Sequence, residues 1–277
     1  MKPNHVESMV DEFGHMYKEV SHARIAPEFR SLVEAASTEI PRAIGDEFFS
    51  LYLYGSIPAG RAVAGRSDLD LFAILQDEAD NQVDSRVQSA CEELMRCFPA
   101  SVRRIDVDTT WMDELFSGPR SPGLKAFVKH MCVCVAGPDI SEEIPDFTPS
   151  REVCASLNGD APLVIESLWK AFFDATTEER RRYVGARIAT KILRTMMSVI
   201  AAETGEWATG RADMATYITW YYPDMTPHVE FLLQVAEERE LALVGGISRL
   251  KEISAFCISE CRRALTADQR EGSPERA

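Results

Sequence analysis

The segment LYLYGSIPAGRAVAGRSDLDLF places two aspartates two residues apart, directly after a glycine-rich loop. The apolar and aromatic run Phe48–Gly55 predicts a buried strand that ends at the glycine, and the alternating run Asp68–Leu75 predicts a second strand. Because side chains alternate across a strand, Asp68 and Asp70 share one face, and the intervening leucines take the other. This strand, loop and strand unit, with two carboxylates on one face, is the feature that most restricts the fold.

The loop and the two aspartates suit a nucleoside triphosphate and a divalent metal ion. Gly55 lets the backbone approach phosphate closely, and the hydroxyls and amides of Ser56 and Ser67 can donate to phosphate oxygens. Asp68 and Asp70 project together and can bind Mg²⁺, which takes one or two carboxylates together with phosphate oxygens. These residues therefore predict a Mg²⁺-dependent triphosphate site.

A third carboxylate would complete a two-metal site, in which ions about 3.5 to 4 Å apart activate the attacking hydroxyl and stabilise the leaving pyrophosphate. The run Ser101–Trp111 predicts a third strand, and Asp106 and Asp108 share one of its faces. We interpret Asp106 as a metal ligand or as the general base for an acceptor hydroxyl. Asp108 is the alternative third carboxylate, or a residue that supports Asp106.

The remaining periodicity predicts two domains. Helical spacing marks Ala26–Ala43 and Asp80–Phe98, and Phe127–Asp139 combines a helix with a strand. The acidic segment Ser141–Ser150 contains two prolines and suits a linker. Helical patterns then follow at Leu163–Phe173, Glu178–Glu203, Ala212–Tyr222, Pro227–Leu243 and Ile247–Leu265. We therefore predict a small mixed α/β catalytic domain over residues 1–150 and an all-α substrate-binding domain over residues 151–277.

Charge and composition limit the partners. The chain has 44 acidic against 30 basic residues, a net charge of -14, which disfavours nucleic acid. The acidity either favours a small cationic partner or only keeps the protein soluble. The first twenty residues lack the apolar core of a signal peptide, and no apolar run reaches the roughly 20 residues of a membrane helix, so we expect a cytoplasmic protein without membrane contact. The seven cysteines then predict reduced thiols. No feature assigns an oligomeric state.

A basic stripe on the helix Glu178–Glu203 offers a second contact for a triphosphate. Arg187, Lys191 and Arg194 recur at steps of four and three residues and therefore lie on one helix face. The stripe is either a solvated cationic face or a phosphate contact, and Lys191 is the residue we choose from it for ATP.

These motifs carry a resemblance to a known family. Gly55-Ser56, then Ser67-Asp68-Leu69-Asp70-Leu71, then an aspartate between apolar residues at Ile105–Val107, resemble the DNA polymerase β-type nucleotidyltransferase superfamily. Within it the chain most resembles bacterial aminoglycoside adenylyltransferases of the streptomycin and spectinomycin class. Gly137–Pro145 is similar to the segment that closes their catalytic domain, and Ala201–Asp224 resembles part of their helical domain. The resemblance implies transfer of AMP from ATP, with two Mg²⁺ ions, to a hydroxyl of an aminocyclitol antibiotic.

The sequence departs from that class at two positions. The third carboxylate of the class is usually a glutamate, whereas Asp106 is an aspartate. The class also carries a lysine near the start of the helix after Thr-Gly, where Arg211 is the nearest cation in this chain. Two other functions stay open: a nucleotidyltransferase that acts on a protein or RNA, as in toxin–antitoxin pairs, and a nucleotide-binding module without catalysis.

Overall fold

The computed structural model describes residues 8–78, 81–237 and 244–266. They divide into two units: an α/β unit, Tyr17–Asp146, and a helical unit that combines residues 8–16 with residues from Phe147 onward. The sequence boundary at residue 150 grouped residues 8–16 with the α/β unit. Among the described residues, no helix is both long enough and apolar enough to cross a membrane.

The α/β unit is built on a four-stranded mixed sheet with flanking helices. The elements in chain order are α1 (Pro27–Ile44), β1 (Phe48–Tyr54), β2 (Leu69–Leu75), α2 (Asn81–Cys97), β3 (Ile105–Trp111), α3 (Met112–Ser117), α4 (Ser121–Met131) and β4 (Cys132–Ala136). The strand order in the sheet is β3-β2-β1-β4. β1 pairs antiparallel with both β2 and β4, whereas β2 and β3 run parallel. A parallel pair needs a long crossover connection, and the helix α2 supplies it.

The core of this unit lies between one face of the sheet and the helices α1 and α2. Leu53 on β1 and Leu71 on β2 are fully buried there against Leu32 of α1 and Val83 of α2. The alternation of β2 explains why, since every second residue of the strand faces these helices. The residues between them, including Asp70, therefore face the other side of the sheet.

The helical unit is arranged around one long helix, α7. Its described helices are α5 (Arg151–Asn158), α6 (Ala161–Asp174), α7 (Glu178–Thr204), α8 (Arg211–Tyr221), α9 (Thr226–Ala236) and α10 (Val244–Leu265). α7 packs against all of the others, and its middle is almost entirely buried. Thr177 caps the start of α7, because the threonine hydroxyl accepts a hydrogen bond from the backbone amide of Arg180.

Residues 8–16 join the helical unit through the backbone. The amide of Met9 donates to the carbonyl of Trp207 at 2.9 Å, and the amide of Met16 donates to the carbonyl of Phe147 at 2.8 Å. The amide of Trp207 in turn donates to the hydroxyl of Ser8. These contacts join residues more than a hundred positions apart in the sequence, so no local sequence pattern predicts them.

The predicted elements agree with the structure except at short helices. β1, β2 and β3 lie within the predicted strands, although Asp68 precedes β2. The run Phe127–Asp139 separates into the end of α4 and the strand β4. The short helices α3 and α5 were not predicted, because six and eight residues carry too little periodicity. The predicted helix Pro227–Leu243 ends at Ala236, and residues 238–243 of the prediction fall outside the described residues.

Replacing Leu71 by alanine tests the packing that orients β2. The side chain is fully buried, so we expect a loss of about 3 kcal/mol in the free energy of unfolding. Urea denaturation followed by circular dichroism measures it. Leu163→Ala is the control: this leucine is 73% exposed, and we expect a change within about 0.5 kcal/mol. Equal effects of the two substitutions would contradict the described core.

Candidate active site

Strand pairing places two of the predicted carboxylates side by side. The β1–β2 pair joins Tyr54 to Asp70, and the β2–β3 pair joins Asp70 to Asp106. Directly paired residues point to the same side of a sheet, so the three side chains form one row on the face away from α1 and α2. The predicted neighbourhood of Asp70 and Asp106 is therefore present in the backbone register.

Asp68 joins this row through two arginines. Arg103 contacts the Asp68 carboxylate in a fork, with Nε 3.1 Å from Oδ1 and Nη2 3.1 Å from Oδ2. Nη2 of Arg104 lies 3.2 Å from Oδ2 of Asp68 and 2.5 Å from Oδ2 of Asp106. One guanidinium nitrogen thus bridges two of the three carboxylates and compensates their negative charge.

The three carboxylates of the candidate site suit a hard divalent cation. Asp68, Asp70 and Asp106 offer only oxygen ligands, which Mg²⁺ prefers. With the side chains as they stand, the described part of the chain contains no group of three or more histidine, cysteine, aspartate or glutamate side chains arranged to hold a metal ion. The guanidinium of Arg104 lies where a bridging cation would lie, and its contacts show that Asp68 and Asp106 can share one positive charge.

A groove of about 590 Å³ lies beside the Asp106 end of the row. It is lined by Arg104 and Asp106 and, from α2, by Cys91 and Glu92. Burial raises the pKa of the Cys91 thiol to about 11, and the negative charge of Asp106 adds to the shift. The thiol is therefore protonated at neutral pH, and the groove presents carboxylates rather than a thiolate to a cation.

Gly55 is the point at which the turn after β1 meets the carboxylates. Its φ is +82°, a left-handed conformation that favours glycine. A Cβ atom at this position would lie 2.4 Å from Oδ2 of Asp70. The backbone therefore approaches the Asp70 carboxylate as closely as it does only because the residue has no side chain.

The two serines of the loop have different surroundings. The hydroxyl of Ser67 accepts a hydrogen bond from the amide of Val63 at 2.9 Å, and this contact tightens the end of the loop. A hydroxyl can donate while it accepts, so the Ser67 proton can still be directed to a ligand. The carbonyl of Ser56 accepts from the amide of Arg61 at 2.9 Å, which fixes the start of the loop. Both serines thus lie in a folded turn rather than in an open segment.

Asp108 lies one row further along the face, opposite Phe72. The hydroxyl of Tyr54 donates to Oδ2 of Asp108 at 2.7 Å. The ring of Phe127 packs edge-on against both Tyr54 and Phe72, and so holds the tyrosine across the sheet. Asp108 is therefore anchored beside the row of Asp70 and Asp106 and not within it.

Lys191 contacts two residues of the helical unit, Asp160 and Asn158. Its ammonium lies 2.7 Å from Oδ1 of Asp160 and 3.1 Å from Oδ1 of Asn158. The amide of Asn158 also donates to the hydroxyl of Ser198 on α7, so the lysine belongs to a hydrogen-bonded network.

The sequence prediction missed three residues that contact the aspartates of the candidate site: Tyr54, Arg103 and Arg104. A signal for Arg104 was present, since it precedes Asp106 by two residues and alternation places both on one face. Tyr54 had no such signal, because its hydrogen bond to Asp108 depends on the pairing of three strands.

A solved structure with a similar fold supports the architecture described above. No protein-family model matches the sequence, and no curated protein matches it significantly. The structure is similar to the crystal structure of spectinomycin adenyltransferase AAD(9) from Enterococcus faecialis with ATP and spectinomycin. The similarity covers 84% of this chain and 99% of that chain, with a TM-score of 0.57 and 10% sequence identity. At this identity the similarity concerns the fold alone, and it agrees with the predicted small mixed sheet with flanking helices.

Replacing Gly55 by alanine tests the close approach to Asp70. The new methyl group would force the Asp70 carboxylate away, in addition to the cost of about 1–2 kcal/mol for a left-handed alanine. Gly14→Ala is the matched control, because Gly14 has a φ of +81° and no atom within 4 Å of the added Cβ. We expect Gly55→Ala to lose more free energy of unfolding in chemical denaturation than the control. Equal losses would show that Asp70 does not lie against the turn.

Proposed function

We propose that this protein is a Mg²⁺-dependent nucleotidyltransferase that moves AMP from ATP to a hydroxyl of a small cationic acceptor, of the aminoglycoside or aminocyclitol class. The observation that carries the proposal is the row of Asp70 and Asp106, joined to Asp68 through Arg104 and set against the turn at Gly55. The fold shared with a spectinomycin adenyltransferase supports the reaction class. The net charge of -14 supports a cationic acceptor.

Different residues of the site would bind the metal ions and the triphosphate. Asp68, Asp70 and Asp106 would hold two Mg²⁺ ions, and Gly55, Ser56 and Ser67 would hold the triphosphate. When bound, Mg²⁺ would neutralise charge on the triphosphate and on the leaving pyrophosphate. Positioning and charge compensation supply most of the rate enhancement in transfers of this kind.

Asp106 is the residue we assign to proton transfer. The acceptor oxygen attacks the α-phosphorus of ATP, a phosphorus–oxygen bond forms, and the bond to the β-phosphate oxygen breaks to release pyrophosphate. The Asp106 carboxylate takes the proton of the hydroxyl. Its side chain is 40% exposed, so an acceptor can reach it. Asp108 supports this face from the next row, because Tyr54 holds it there.

Acceptor recognition is assigned to the helical domain over residues 151–277. Lys191 remains the cation proposed for the triphosphate from this domain, and it would exchange its contacts with Asp160 and Asn158 for phosphate oxygens. Lysine acts there as a compact point charge that can change partners.

Asp70→Asn tests the assigned carboxylates. The amide keeps the size of the side chain but removes a charge that the metal needs, so we expect a loss of at least about a hundredfold in turnover with the fold intact. Transfer of labelled AMP to spectinomycin, streptomycin and kanamycin measures it, with pyrophosphate release as a second readout. Asp77→Asn, at an exposed aspartate shortly after β2, is the control and should retain activity. An active Asp70→Asn protein would refute the proposed function.

Expression of the chain in susceptible cells tests the acceptor class. We expect the inhibitory concentration of spectinomycin or streptomycin to rise and that of kanamycin to stay the same, because the resemblance is to the former class. Cells that express the Asp70→Asn variant are the control and should remain susceptible. Unchanged susceptibility to all three drugs, together with AMP transfer to a protein or RNA, would favour the alternative acceptor.

A further inference from the structure

Arg104 occupies the space between two carboxylates that the proposed reaction needs for metal. Its Nη2 atom lies within 3.2 Å of oxygens from both Asp68 and Asp106. A cation that bridged the same two oxygens would lie close to this nitrogen. Because the Arg104 nitrogen contacts both oxygens, a dication that bridged them would compete with it for the same position, so both cannot remain there.

We propose that Arg104 is an internal counter-ion of the active-site carboxylates, and that a divalent metal ion must displace its guanidinium in order to bind. This inference rests on the proposed function, since it assigns Asp68 and Asp106 to metal. Arg104 thus compensates the carboxylates when metal is absent, and the metal takes over that compensation when it binds. Arg104 is a positioning residue that controls how readily the site accepts metal.

The surroundings give the displaced side chain a place to go. Arg104 lines the groove of about 590 Å³ beside α2, and Glu92 lines the same groove. The arginine side chain is 32% exposed, so it can turn outward without opening the core. Arg96 lines the groove too, but it pairs with Glu93, and Glu92 is the acid that compensates the Arg104 guanidinium after it leaves Asp106.

Arg103 has a different geometry and a different role. Both of its contacts to Asp68 engage that one carboxylate in a fork, and the side chain is 41% exposed. A forked contact holds the orientation of a carboxylate, so Arg103 keeps Asp68 in place after Arg104 moves away. Arg103 therefore orients Asp68, whereas Arg104 compensates the negative charge of the carboxylates.

Competition between Arg104 and a metal ion for the same carboxylates favours an ion that arrives bound to a nucleotide. A bare ion must break the contacts of Arg104 with two carboxylates, and it gains only carboxylate and water ligands. An ion carried by a triphosphate brings further oxygen ligands and negative charge to the site. Metal alone is therefore expected to bind weakly.

Mn²⁺ binding to Arg104→Gln, in the full chain without nucleotide, tests the proposal. We expect the dissociation constant, measured from the electron paramagnetic resonance signal of unbound Mn²⁺, to fall about tenfold, since the ion no longer breaks charge-assisted hydrogen bonds. A buffer of about 0.5 M KCl screens the general effect of losing one positive charge. A merely structural role would lower the affinity, because loss of order in the site weakens binding.

Arg66→Gln is the matched control for charge. Arg66 is exposed, lies in the loop before Asp68, and forms no ion pair with a described residue. We expect its Mn²⁺ affinity to equal that of the wild-type protein. Thermal unfolding adds a second readout: in a metal chelator Arg104→Gln should unfold at a lower temperature than the wild-type protein, and Mg²⁺ should raise its Tm by more.

Unchanged, weaker or undetectable Mn²⁺ binding in a folded Arg104→Gln protein would overturn the counter-ion role. Should that variant not fold, Arg104→Lys replaces it, because one ammonium spans two carboxylates less well, and a gain in affinity of about threefold is expected. No gain in the lysine variant would overturn the proposal equally. These outcomes are separate from the transferase assay, since an active Asp70→Asn protein refutes the proposed function whatever the affinity of Arg104→Gln.

Discussion

The parallel pairing of β2 with β3 is the constraint on which the candidate active site depends. It sets Asp70 opposite Asp106, and in the same register it buries the leucines of β2 against α1 and α2. A slip of one residue would turn every side chain of a strand to the opposite face, and would bury Asp106 while exposing Ile105. Burial of apolar side chains on one face therefore holds the carboxylates in place on the other, so the stability of the core and the chemistry of the site share one cause.

Gathering carboxylates in one row has an electrostatic cost, and the chain offsets it locally. The chain as a whole is acidic, with a net charge of -14, but two consecutive arginines contact these carboxylates. Arg103 pairs with Asp68, and Arg104 pairs with Asp106. The same face carries a tyrosine that donates to Asp108. Asp68, Asp106 and Asp108 therefore each accept a hydrogen bond of defined geometry. These bonds orient the three side chains and stabilise them. The turn at Gly55 adds the remaining element, a backbone that can lie directly against Asp70.

Much of the α/β unit could be predicted because its signals are local. Alternation identified β1 to β3, and helical spacing identified α1, α2 and α7. What could not be predicted depends on pairing between distant segments: the bond from Tyr54 to Asp108, the bridge made by Arg104, and the association of residues 8–16 with Trp207. The contacts of Lys191 with Asp160 and Asn158 belong to the same class, since helical periodicity gives a face but not the neighbour of that face.

The hydrogen bonds of Met9 and Met16 make the helical unit a discontinuous domain, into which the α/β unit is inserted. During synthesis residues 8–16 are made long before their partners, whereas the α/β unit emerges with all of its strands in sequence. The inserted unit can therefore fold first on the ribosome, and the helical unit is completed only after Phe147 and Trp207 have left the exit tunnel. Loss of residues 8–16 would for the same reason damage the helical unit rather than the sheet.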